Sequence, residues 1–150
     1  MNVAPTSVPC TAPPATHTGY PAFADRTGRA TAHQLNNVLL ITAEGEIDAA
    51  NAEDFAAYVV ALTVDADRLV LDLSQIEFLG IQGFSALQTI NVRVAAAGVR
   101  WAMCTGPAVA RVLRICDPAG ALPVARTVDA ALAVLQREQA RLLQLVAQAR

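Results

Sequence analysis

At 150 residues and 54% apolar side chains, the chain is long enough for one domain with a proper core, plus tails. The net charge is −2 and arginine supplies all eleven basic residues, so there is no basic footprint for nucleic acid or an anionic membrane. Three cysteines without a spaced framework fit a reducing cytoplasm, the isolated His17 and His33 form no zinc cluster, and no stretch reaches the ~20 apolar residues of a membrane span.

Residues 1–25 hold Pro5, Pro9, Pro13, Pro14 and Pro21 among small and hydroxylated residues. Proline lacks a backbone donor and fixes φ, so this stretch is expected to be a flexible arm outside any sheet or helix. Met1–Pro14 has no basic n-region and no continuous apolar run, so it does not read as a secretory signal. Cys10 is expected to be the exposed thiol. The domain is expected over residues 26–136, with a helical extension over 137–150.

Ala30–His33 reads as an edge strand, Gln34–Asn37 as a hairpin turn, and Val38–Glu44 as a buried strand. Gly45-Glu46-Ile47-Asp48 leads to a helix with Asn51 as N-cap and Asp54 three residues on. Ala52, Phe55, Tyr58, Val59 and Leu62 form its apolar face, and it stops before Asp65-Ala66-Asp67. Arg68–Asp72 reads as a central strand, whose continuous apolar run Leu69-Val70-Leu71 ends in Asp72-Leu73-Ser74 and suits a parallel strand covered on both faces. A loop with Ile76 and Phe78 should follow. Gly80-Ile81-Gln82-Gly83 then opens a helix with Phe84, Leu87 and Ile90 at helical spacing, ending at Gly98.

Val99–Cys104 is the next strand. Thr105-Gly106-Pro107 turns into a helix with Val109, Val112, Leu113 and Cys116 on one face, stopped by Asp117-Pro118. Leu122–Ala125 is a short last strand, and a long helix begins near Val128. On that helix Val128, Ala131, Leu132 and Leu135 form one stripe. Glu138 and Gln139 interrupt it, and Leu142, Leu145, Val146 and Ala149 resume it, with no later element to cover them. These four are the expected self-association residues. About ten helical residues separate Cys104 from Cys116, ~15 Å, against the ~7 Å a disulfide allows, so no bond is expected between them.

Strands alternate with helices after an initial hairpin. The fold class is therefore α/β, a mostly parallel or mixed sheet of about four to five strands packed against about four helices. No nucleophile–base pair and no phosphate-binding glycine loop stands out, so no catalytic residue, cofactor or metal is expected.

Two segments carry a resemblance. Val70–Leu87, with its Asp72-Leu73-Ser74 and Gly80–Gly83, and Gly45-Glu46-Ile47-Asp48 followed by Ala52-Glu53 resemble the signature of the STAS domain, the fold of bacterial anti-sigma factor antagonists. The resemblance covers roughly residues 28–136. It implies the STAS fold, a cytoplasmic location, a kinase-type anti-sigma factor as partner, and release of a sigma factor on binding. In that family the turn usually reads Asp-Ser-Ser-Gly or Asp-Ser-Thr-Gly, and the partner kinase phosphorylates a hydroxyl there. Here Ile81 and Gln82 occupy that position and neither accepts phosphate, while Gly80 stands in place of the usual acidic residue.

By this resemblance the expected partner-binding residues are Asp48, Phe78, Gly80, Ile81, Gln82, Gly83 and Ser85. Ile81 stands either in an exposed apolar patch with Phe78 and Phe84 or in the core. Asp48 either faces the partner or is a loop residue at the start of a helix. Ser85, placed in the first helical turn, and Ser74, bonded to nearby backbone, are the nearest hydroxyls. The other reading is a STAS scaffold that has lost anti-sigma binding and assembles a larger signalling or transport complex through its helical tail. A small-ligand or nucleotide sensor is a third, without support from particular residues.

Overall fold

The computed structural model describes residues 20–149. The expected arm, with Cys10 and His17, lies outside the described residues as far as residue 19, as does residue 150.

Six strands and four helices alternate after the hairpin. They are β1 (Phe23–Ala24), β2 (Gly28–Leu35), β3 (Val38–Ile47), α1 (Ala52–Leu62), β4 (Arg68–Leu79), α2 (Ile81–Ala96), β5 (Arg100–Thr105), α3 (Pro107–Cys116), β6 (Val124–Ala125) and α4 (Val128–Gln148). They form one sheet in the order β1-β2-β3-β4-β5-β6. The first three strands are antiparallel and the last four parallel. The sheet has one strand more than the upper end of the expected four to five because β1 is two residues long, too short to leave a periodic signal; the short last strand expected over Leu122–Ala125 is β6.

Strand structure is present before Arg26, in β1. β1 pairs with Arg29 and Ala30 of β2, so β2 is flanked at its start and, among the described residues, remains an edge from Thr31 on, as expected for most of Ala30–His33. Phe23 packs on Phe55 and Tyr58, with ring centroids 5.8 and 5.6 Å apart. The Tyr58 hydroxyl donates to the Pro21 carbonyl at 2.8 Å. The β2–β3 turn sits where the sequence places it, with Asn36 at φ +56°, a left-handed conformation that asparagine tolerates.

The main difference lies in β4. It runs on through Leu79, so the expected loop with Ile76 and Phe78 is strand. Its second half pairs with Glu44–Ile47, and two register shifts in this ladder accommodate the extra length of β4. Gly45, at φ +94°, sits at one of these shifts in a conformation that disfavours side chains. Only Gly80 separates β4 from α2, which starts at Ile81 rather than after Gly83. Gly98, at φ +77°, follows the C-cap of α2 as expected.

The two faces of the sheet are covered separately. Leu39, Ile41, Leu69, Leu71, Leu73, Trp101 and Met103 pack with the inner faces of α1, α2 and α3. Val38, Val70, Ala102 and Cys104 face Ala131 and Leu135 of α4. Burial on both faces explains the unbroken apolar run of β4. Tyr58, Leu62, Val112 and Cys116, expected on core faces, are only partly buried.

Cys104 and Cys116 are both free thiols, as their separation requires. Burial, reinforced by the Asp72 carboxylate, pushes the Cys104 thiol up to about 11. The folded state thus holds this proton more tightly than the unfolded chain. That contribution to stability is complete below about pH 9 and is lost as the pH rises toward 11. A thiol reagent should therefore modify half-buried Cys116 well before Cys104 at neutral pH, read by peptide mass mapping. Equal rates would show that Cys104 is open to solvent.

Candidate functional site

β3 and β4 end together, Ile47 opposite Leu79, whereas β5 stops opposite Leu73. The Gly80 N–H donates to the Ile47 carbonyl at 2.9 Å, a last rung beyond the β3–β4 ladder. This places the start of α2 beside the loop that leads into α1. A Cβ built on Gly80 would lie 3.5 Å from the Phe78 ring, 3.6 Å from Gln82 Oε1 and 3.7 Å from Asp48 Cα. Asp48, Phe78, Gly80 and Gln82 therefore form one surface. Ile81 is 67% exposed and Phe78 is 50% exposed. Of the two placements open for Ile81, the structure takes the exposed one.

Three of the expected residues lie elsewhere. Gly83 is buried, because a Cβ there would overlap the Leu79 side chain and stand 3.1 Å from the Ile47 carbonyl. Glycine at this point lets the first turn of α2 sit directly on the strand ends, and its contribution to the surface is packing. Phe84 is buried in the core rather than in the patch. Ser85 is in the second turn of α2, since the helix starts at Ile81. It lines a groove of about 670 Å³ between α1 and α2, with Glu53, Ala56, Gln82, Thr89 and Arg93. This groove opens onto the turn through Gln82 and Ala49.

Gly80 is the N-cap of α2 and supplies no side-chain acceptor, and the first turn holds no acidic residue. The free N–H groups and dipole of this end favour negative charge. Ile81 and Gln82 occupy the first two helical positions and offer no hydroxyl. Ser74 is committed otherwise: its Oγ donates to Asp72 Oδ1 at 2.7 Å, a side-chain partner rather than the expected backbone.

The loop before α1 is held by a residue whose role the sequence hides. Asn51 occupies the N-cap position, but its side chain caps nothing and no box with Asp54 forms. Buried, it accepts from the Asp48 N–H at 2.9 Å and donates to the Glu46 carbonyl at 2.9 Å. It also reaches Asp25 Oδ1 and Thr27 Oγ1 at 3.3 and 3.4 Å. Asp25 accepts from the Thr27 and Gly28 N–H groups as well, which holds its carboxyl below the usual range. Asp48 accepts from the Ala50 N–H at 2.9 Å and is half-buried, so it is both a loop-former and a neighbour of the turn.

The other expected surface is the end of α4. Leu142, Leu145, Val146 and Ala149 are all exposed. Glu138 and Gln139, expected to mark where the helix leaves the sheet, fasten it instead. Glu138 pairs with Arg100, and Gln139 Oε1 accepts from Asn37 Nδ2 at 2.9 Å. The docked part thus reaches Gln139, past the expected boundary at 137. Among the described residues no helix is long and apolar enough to cross a membrane, and no cluster of metal-ligating side chains occurs.

Removing the Asn51 side chain should loosen this whole end. Asn51→Ala leaves a buried N–H and a carbonyl without partners and should cost about 1–3 kcal/mol in denaturant unfolding. Asn51→Asp, nearly isosteric, should cost at least as much, because its carboxylate faces the Glu46 carbonyl. A loss within error for both variants would remove Asn51 as the latch.

Known proteins share this arrangement. The STAS domain family model matches residues 29–131. Osmosensory protein A of Mycobacterium tuberculosis is 38% identical over 108 residues, covering 69% of this chain and 67% of its own. The anti-sigma-F factor antagonist RsfA of the same species is 32% identical over 108 residues, 69% of this chain and 84% of its own. The crystal structure of an anti-sigma factor antagonist from Mycobacterium paratuberculosis superposes with a TM-score of 0.67 at 25% identity, covering 73% of this chain and 95% of that one. With this sheet order, these two matched segments and these relatives, the chain belongs to the STAS domain family.

Proposed function

We propose that this protein is an anti-sigma factor antagonist that binds an anti-sigma factor, and so frees a sigma factor, without the phosphorylation switch usual at the turn. The observation that carries this reading is the convergence of Asp48, Phe78, Gly80 and Gln82 beside exposed Ile81, at the position matching the family's contact turn. The names of the RsfA relative and the mycobacterial structure support it. The partner is of the kinase type, and the encounter takes place in the cytoplasm. The protein contributes a surface and no catalysis. The groove lined by Ser85 continues that surface down between α1 and α2.

Ile81→Asp tests this directly. Ile81 is largely exposed, and aspartate near a helix N-terminus is favourable by about 0.3–1 kcal/mol, so the melting temperature should not fall. In an apolar contact the same carboxylate is desolvated without a partner, which should weaken anti-sigma binding by roughly ten- to a hundredfold. Titration by calorimetry distinguishes the outcomes, and unchanged affinity removes Ile81 from the interface. With the same partner and ATP, the intact mass of the wild type should stay constant. A gain of one phosphate at Ser85 or Ser74 would restore a switch.

We further propose that the overhanging half of α4 mediates self-association, which is also what a scaffold subunit would need. The exposed Leu142, Leu145 and Val146 at helical spacing support it. Truncation after Ala140 keeps both fastenings at Glu138 and Gln139. It should lower the mass found by light scattering at high concentration to that of a monomer. If the full chain is monomeric throughout, the helix end has no such role.

A further inference from the structure

β6 pairs only with Met103 and Cys104, so the flank of β5 before them is open among the described residues. A groove of about 630 Å³ lies there, walled by Val134 and Glu138 of α4 and by Trp101, Pro123 and Val124. Its apolar walls Val124 and Val134 are 49% and 37% exposed. Steps of four, three and four residues stay on one flank of an α-helix. Val134 and Glu138 are therefore followed on that flank by Arg141 and Leu145, which carry the row out of the groove and along the overhang. Leu145 is 55% exposed.

The row reads apolar, acidic, basic, apolar. Turned end for end, it is its own complement. Two copies of α4 laid antiparallel about a twofold axis between Gln139 and Ala140 bring Val134 opposite Leu145 and Glu138 opposite Arg141. Each pairing then occurs twice, as such an axis requires. Parallel helices in register would instead set Glu138 on Glu138 and Arg141 on Arg141, which repels. Both charges are available for this contact. Glu138 accepts from Arg100 through Oε1 and keeps Oε2 for a second donor. Arg141 has no ion-pair partner among the described residues.

We infer that the groove beside β5 is filled by the overhanging end of α4 from a second copy of this chain, seated antiparallel, so that each copy fills the groove of the other. The inference rests on the self-association proposed above and gives it a receiving site, a direction and a register. Groove and plug stand on one helix, about 16 Å apart from Val134 to Leu145, so the exchange is reciprocal and closes at two copies. The apolar contacts of Leu145 with Val134, and the cover given to Val124, supply the attraction. The ion pairs lie at the rim, where they add little affinity and instead select direction and register.

Single cysteines map this register in the full-length chain. The background carries Cys10→Ser and Cys116→Ser, which leaves buried Cys104 as the one native thiol. Chains with Val134→Cys and with Leu145→Cys are mixed under oxidised glutathione, and disulfide-linked dimers are measured by intact mass. The control mixes Val134→Cys with Leu143→Cys, because Leu143 is 62% exposed but stands on the opposite flank of the helix. The first mixture should give roughly tenfold more mixed dimer than the control. Val134→Cys alone should not exceed the control, since its two copies stand about 16 Å apart along the helices, beyond the ~7 Å a disulfide allows. Equal yields from the two mixtures, in a chain that light scattering shows to associate, overturn this register and leave self-association standing. A full chain that stays monomeric at every concentration overturns both.

Discussion

The candidate surface hangs from the hydrogen bond between Gly80 and Ile47. It fixes where two parallel strands end, and so where two helices begin. The register shifts in the β3–β4 ladder, one on either side of Glu44–Gly45, make this rung possible, because they let the longer β4 finish level with β3. Asp48 and Gly80 meet only because of that. Asn51 then holds the loop to the strand end and to Asp25 and Thr27. The surface is thus a property of strand register, and a slip of one residue would turn Phe78 inward and Leu79 outward.

The sequence made the strongly patterned parts legible. Leu69–Leu71 and Val38–Ile41 are buried strands, and the apolar spacing of α1, α2 and α3 marks their inner faces. The second half of β4 was not legible, because the buried positions Leu71, Leu73, Ile76 and Leu79 step by two, then three, then three. A bulged ladder breaks the period of two, and the polar Ser74, Gln75 and Glu77 between them read as loop. Asn51 reads as a cap because short polar residues favour that position. Its partners Asp25 and Thr27 are distant in sequence, and no local pattern points to them. The exposure of Ile81 was undecidable for a similar reason: the first helical position faces the core or solvent according to the angle at which α2 meets the strands.

The absent hydroxyl changes what kind of regulator the proposed reading describes. A phosphorylation switch alters affinity at constant concentration. Without it, occupancy of the partner depends only on the amount of antagonist relative to the dissociation constant. Control then moves to synthesis and degradation of the protein or to events that mask the surface. Under the proposed reading, Ile81 presents an exposed apolar side chain at the start of α2 in place of a hydroxyl.

The end of α4 separates two questions that its sequence alone runs together. An isolated segment as short as Arg141–Ala149 is marginal as a helix in water, because nucleation is costly. Here the nucleus is supplied: α4 is one helix from Val128, fastened at Glu138 and Gln139, so the last turns only propagate it. Helicity of the overhang therefore needs no partner. Its composition is a different matter. Glutamine, glutamate or arginine would propagate the helix about as well as leucine and dissolve better. Leu142, Leu143, Leu145 and Val146 instead leave apolar surface in water on consecutive turns. It is this exposed surface, and not the persistence of the helix, that argues for contact with another molecule.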